Sequence, residues 1–148
     1  EAMKSGLSLD GVPLPILIGV LAVVPAVAEE LAFRGVVLGA LLRRMQAPGA
    51  LVLQALLFAL LHGSLFRLLP TFVLGLLLGL LTLRTRSLWP SMLAHALNNA
   101  ILVVLDRAAP SVVVALGSPT PWAFAGAAAV AVALYAAIDG LTWRTSRP

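Results

Sequence analysis

The sequence predicts an all-α fold, a polytopic transmembrane bundle of about five hydrophobic helices, and three observations predict it. The first is balance: 61% of the 148 residues are hydrophobic and 11% are charged, with a mean hydropathy of +1.04, whereas a soluble domain carries roughly 25% charged residues. The second is blocking. Stretches free of Asp, Glu, Lys and Arg cover 11–28, 45–61, 68–83, 87–105 and 108–138. Most are near the ~17–25 residues that a helix needs to cross ~30 Å of hydrocarbon. The third is punctuation, because short polar breaks containing Arg, Pro, Gly and Ser separate these stretches.

The elements follow in order. A polar segment, 1–12, precedes a core at 13–107, and 108–148 forms a loop and a C-terminal transmembrane helix. Glu1 to Gly11 lacks a basic region feeding an apolar one, so no cleavable signal peptide is expected there. The chain opens on Glu1 rather than methionine, and further helices upstream are expected. Pro13 to about Arg44 reads as one long helix, kinked or restarted at Pro25, where a backbone donor is missing. A second helix runs from about Ala50 to His62, closed by Gly63-Ser64. A third begins near Pro70 and ends near Leu83, with Gly75 and Gly79 in a GxxxG spacing that lets another helix approach closely. A fourth covers about Trp89 to Leu105, and a last one about Trp122 to Trp143.

Charge and composition exclude several functions. The net charge is +4, but the ten basic residues are scattered between apolar runs, which is not the basic stripe of a nucleic-acid binder. There is no cysteine, hence no disulfide framework and no thiolate metal site. The basic residues mark topology instead. With the N-terminus outside, the inner side holds Arg43, Arg44, Arg84, Arg86, Arg144 and Arg147, and the outer side Lys4, Arg67 and Arg107. That asymmetry favours N-out, C-in. Rich in Ala, Leu and Arg and poor in Lys, the chain looks like the product of a GC-rich bacterium, which places it in a bacterial cytoplasmic membrane.

The chemistry lies in the few polar groups within the apolar spans, since an ionisable side chain at mid-membrane costs roughly 2.5–3.5 kcal/mol or more. They are Glu29, Glu30, Arg34, His62, His95, Asn98 and Asn99. Glu30 and Arg34 stand one helical turn apart and can form an ion pair, while Glu29 points elsewhere without an in-helix partner. The bland reading is a structural pair plus a snorkelling glutamate; the functional one makes Glu29 a general base. Phe58 lies one turn before His62 and can pack on its ring, and a lone histidine at a helix end is more often interfacial than catalytic. Asn98 and Asn99 share a face with His95, where polar side chains also serve as interhelical glue. Depth links the three sites. At 1.5 Å per residue Glu29 lies about 21 Å from Arg43, His62 about 21 Å from Pro48, and His95 and Asn99 about 11–17 Å from Leu88. All three reference residues are on the inner side, so the polar groups can meet in one cavity.

Glu29-Glu30…Arg34, Phe58…His62 and His95…Asn99, in this order on hydrophobic helices, resemble the EExxxR, FxxxH and HxxxN motifs of the CPBP family of intramembrane proteases. That family contains the type II CAAX prenyl endopeptidases and the bacteriocin-processing (Abi) proteins. The stretch from Phe72 through Gly75 and Gly79 to Ser87-Leu88-Trp89-Pro90 and His95 is similar to its final core region. The resemblance covers about 25–105 and implies an endopeptidase that cleaves peptide bonds at the membrane. It implies that Glu29 and His62 activate a water while His95 and Asn99 stabilise the oxyanion, with Glu30, Arg34, Phe58 and Asn98 in support. Family members are commonly called metalloproteases. Glu29, His62 and His95 would be the ligands of a divalent metal such as zinc, with a fourth position for water, but there is no HExxH helix and no obligatory metal is expected.

Partners follow from the same reading: membrane lipid, and a peptide or membrane-associated protein as substrate. Two rivals stand beside it. A non-catalytic protein of the same fold, serving bacteriocin immunity or as a scaffold, would not need Glu29, His62 and His95 together. A transporter also uses intramembrane Glu and His, but would show inverted repeats that this sequence lacks.

Overall fold

The computed structural model of the chain describes residues 11–109 and 111. The polar start up to residue 10 and the helix expected near Trp122 to Trp143 lie outside the described residues. All regular structure among the described residues is helical, and it forms four consecutive rods.

The first, α1 (Leu14–Leu42), is 29 residues long and continuous. At about 1.5 Å per residue it exceeds the ~30 Å hydrocarbon layer, so it must tilt or extend past the layer. Pro25 does not end it, and sits in the first turn of the α-helical stretch Val24–Glu30, where the second half restarts. The turn before it, Gly19–Val23, is widened to π-type hydrogen bonding, which makes room where the missing N–H would otherwise leave a fault. A second π-type stretch, Leu31–Val37, follows directly on the paired glutamates and carries Phe33 and Arg34 into the interior. π-Bulges inside α-helices are frequent at functional sites.

Helix α2 (Ala47–Leu61) opens with Pro48 in its first turn, where the absent donor costs nothing, and stops at Gly63, whose φ of +63° suits glycine. At 15 residues it is shorter than the sequence run and too short to span alone. Helix α3 (Leu65–Thr85) starts a full turn earlier than expected and contains Pro70 rather than beginning there. Proline forfeits one backbone bond, which a membrane helix with an otherwise unbroken apolar sequence tolerates close to its N-terminus. It ends at Arg86, held at φ +52°. Helix α4 (Trp89–Ala108), with Pro90 in its first turn, extends one turn past the expected end.

Packing is inverted relative to a soluble bundle. Most of the wholly buried positions are small, among them Ala22, Ala26, Ala50, Ala55 and Ala59, or polar, namely Glu30, Gln54 and Ser91, with Phe58 the large apolar exception. Large apolar side chains such as Val36, Leu61, Leu93 and Leu97 face outward, each more than half exposed. Water would penalise that surface and lipid does not, whereas small residues let helices approach inside a membrane. Helix α4 lies along the first half of α1, and α2 packs chiefly on α3. The latter contact rests on the GxxxG spacing: a Cβ on Gly75 would sit 3.1 Å from Ala55 Cα, and one on Gly79 2.6 Å from the Gln54 amide.

Candidate active site

Helix α1 supplies a charge pair to the interior. Arg34 Nη1 donates to Glu30 Oε1 at 2.7 Å, with both side chains fully buried. The i, i+4 spacing makes the contact local, and a lone charge at this depth would be costly, so each group neutralises the other. Arg34 Nη2 donates to the Gly75 carbonyl of α3 at 3.0 Å, and its guanidinium lies over the Phe58 ring of α2, 4.5 Å from the centroid. Thus one arginine joins three helices.

Helix α4 adds His95, which is 2% exposed. Its Nδ1 lies 2.9 Å from Glu30 Oε1 and its Nε2 3.7 Å from Glu29 Oε2. The imidazole therefore bridges the two adjacent glutamates. A carboxylate only accepts, so with Glu30 ionised by Arg34 the Nδ1 carries the proton and donates. Glu29 differs from Glu30 in access: its side chain is 29% exposed against 0%. Its Oε2 atom turns inward toward His95 and has no hydrogen bond among the described residues.

Phe58, wholly buried, is the hub of the site. Its ring meets Phe33 edge-on at 5.1 Å, His62 at 4.8 Å and His95 at 5.7 Å. His62 ends α2 and is exposed. Its Nδ1 lies 2.8 Å from the Phe58 carbonyl. A carbonyl cannot donate, so Nδ1 is the protonated nitrogen, and in the neutral ring Nε2 keeps its lone pair. On α4 the Asn98 amide donates to Asn99 Oδ1 at 3.4 Å, which leaves the Asn99 N–H group as a donor.

The structure thus gathers Glu29, Glu30, Arg34, Phe58 and His95 directly, and brings His62 to the cluster through Phe58. Asn99 stands one turn beyond His95 on α4. Among the described residues no group of three His, Asp or Glu side chains is placed to hold an ion. Gln54, wholly buried on α2, was not anticipated. Its amide donates to the Gly75 carbonyl at 2.9 Å and to Leu51 O at 3.1 Å. The available signal was a single polar side chain inside the α2 run.

A buried Glu–Arg–His cluster inside a bundle of outward-facing apolar helices defines an integral membrane protein with an ionisable site in its interior. The chain belongs to the type II CAAX prenyl endopeptidase Rce1-like family, whose sequence profile matches residues 11–101. It is similar to a Bacillus subtilis protein named "Putative membrane peptidase YdiL", with 28% identity over 93 residues, 63% of this chain and 38% of the relative. The chain therefore spans well under half the length of that relative. No solved structure matches it.

Proposed function

We propose that this chain carries the catalytic core of an intramembrane endopeptidase of the bacterial cytoplasmic membrane. The substrate would be a peptide or a membrane-associated protein. The observation that supports this best is the bridge from Glu29 through His95 to the Glu30–Arg34 pair, a partly accessible carboxylate set against a fully buried one.

Charge placement supports the reading. Two carboxylates and one guanidinium surround the His95 ring, which is the group placed to carry a proton between them. Glu29 is then the free base facing the accessible side. It takes a proton from a water, helped by the lone pair on His62 Nε2, and the hydroxide attacks the scissile carbonyl. Charge develops on the carbonyl oxygen, where protonated His95 and the Asn99 amide oppose it. Glu29 returns the proton to the leaving amine. Glu30 and Arg34 hold His95 in orientation, and Phe58 fixes both histidine rings.

Comparing membrane peptides from cells carrying the active protein with those carrying Glu29→Ala tests this. Fragments present only with the active protein are expected. Identical peptide sets would favour a non-catalytic member of the family.

A further inference from the structure

We infer that Gln54 and the Gly75/Gly79 pair form a positioning device for the catalytic cluster, in which the Gly75 carbonyl aims Arg34 and, through it, Glu30 and His95. This rests on the peptidase reading for its kinetic readout alone.

Glycine spacing of this kind ordinarily means helix contact. Here it does more, because the Gly75 carbonyl receives two side-chain donors from two other helices. Arg34 Nη2 of α1 reaches it at 3.0 Å and Gln54 Nε2 of α2 at 2.9 Å. Both are buried, and Gln54 is wholly so. A buried amide in a membrane bundle is costly unless its hydrogens are used, and both acceptors of Nε2 are backbone carbonyls. That fixes which end of the amide is nitrogen. Each glycine serves a separate part. Gly75 lets the α2 backbone come so near that any side chain would be 3.1 Å from both Ala55 Cα and Cβ. Gly79 leaves the space that Gln54 fills, since a Cβ there would be 2.6 Å from Gln54 Nε2 and from Leu51 Cδ1. The chain of contacts then runs from Gln54 to the Gly75 carbonyl, Arg34, Glu30 and His95, at 2.9, 3.0, 2.7 and 2.9 Å. Of these links only His95 faces the reacting carbonyl, so Gln54 acts through Arg34.

The test uses the purified full-length protein carrying Gln54→Ala, Gly79→Ala and the double substitution. Displacing a group by about 1 Å can cost on the order of 10²-fold in rate, so Gln54→Ala should lower kcat by about 10–100-fold, with KM nearly unchanged. An independent readout is the ¹⁵N NMR signal of His95, assigned by its loss in His95→Gln. It should show a proton on Nδ1 in the wild type, and the signals should change in Gln54→Ala. Gly79→Ala should act by displacing the Gln54 amide, so the double variant should be no worse than Gln54→Ala. Should Gln54→Ala not fold, Gln54→Met fills the space without a donor and serves the same comparison. Folded Gln54 variants with wild-type kcat and unchanged His95 signals would overturn the inference, as would fully additive losses in the double variant. A wild-type protein without peptidase activity would sink the peptidase reading instead, and the His95 signals would still decide the positioning role.

Discussion

Adjacent glutamates on one helix end in different environments, and the difference comes from geometry that a single residue step imposes. About 100° of rotation sends Glu30 onto Arg34, while Glu29 keeps a partly open face. Removing the charge of Glu30 leaves Arg34 buried and unpaired, and breaking such a pair costs roughly 3–5 kcal/mol. Glu30→Gln should therefore lower the thermal midpoint in detergent sharply; an unchanged midpoint would show that the pair is not needed for folding. Asn99 is different, because as the proposed oxyanion donor it would act on substrate only as charge develops. Asn99→Ala should reduce kcat about 10²–10³-fold, the range for one oxyanion donor, with little change in KM. A folded variant with full kcat would assign Asn99 to helix packing. The Glu30–Arg34 contact and the packing of Phe58 on His62 were legible in the sequence because i, i+4 neighbours meet on any helix. The bridge from His95 to both glutamates was not, since it depends on how α4 lies against α1, and no local rule sets that.

At the scale of the element, the helix ends carry contrasting backbone choices. Gly63 ends α2 at φ +63° with nothing near its absent Cβ, so Gly63→Ala pays only for the left-handed backbone, about 1–2 kcal/mol. Arg86 ends α3 at φ +52° with a side chain in place. Arg86→Gly should relieve that strain and raise the thermal midpoint, whereas Gly63→Ala should lower it. Equal shifts of the same sign would contradict the assigned backbone geometry. Turns were readable from Arg, Pro, Gly and Ser, and helix cores from their apolar runs. Pro70 misled the reading of α3, because a proline near the start of a membrane helix resembles a first-turn proline and the sequence does not show how many residues precede it in helical form. The π-type stretches of α1 were equally hidden, for they preserve an apolar pattern while changing its winding.

For the whole molecule, the outward-facing large side chains and inward-facing alanines require an apolar solvent, and blocked composition made that visible at once. Orientation follows from arginine placement and remains a proposal with a clean test, because this sequence has no cysteine. With the α1–α2 and α3–α4 turns facing the cytoplasm, Ser87→Cys should resist a membrane-impermeant thiol reagent in intact cells and react after permeabilisation. Labelling in intact cells would reverse the topology. The grouping of Glu29, Glu30, Arg34, Phe58 and His95 was legible as a set of residues, but their pairings, and the part taken by Gln54, required the packed helices. The central claim is that Glu29 is the base of a peptide-cleaving site whose fold does not depend on that charge. The direct measurement is peptide cleavage by purified, lipid-reconstituted Glu29→Gln beside its thermal midpoint. A midpoint close to the wild type with cleavage abolished is the expected result, and near-wild-type cleavage by the folded variant would contradict it.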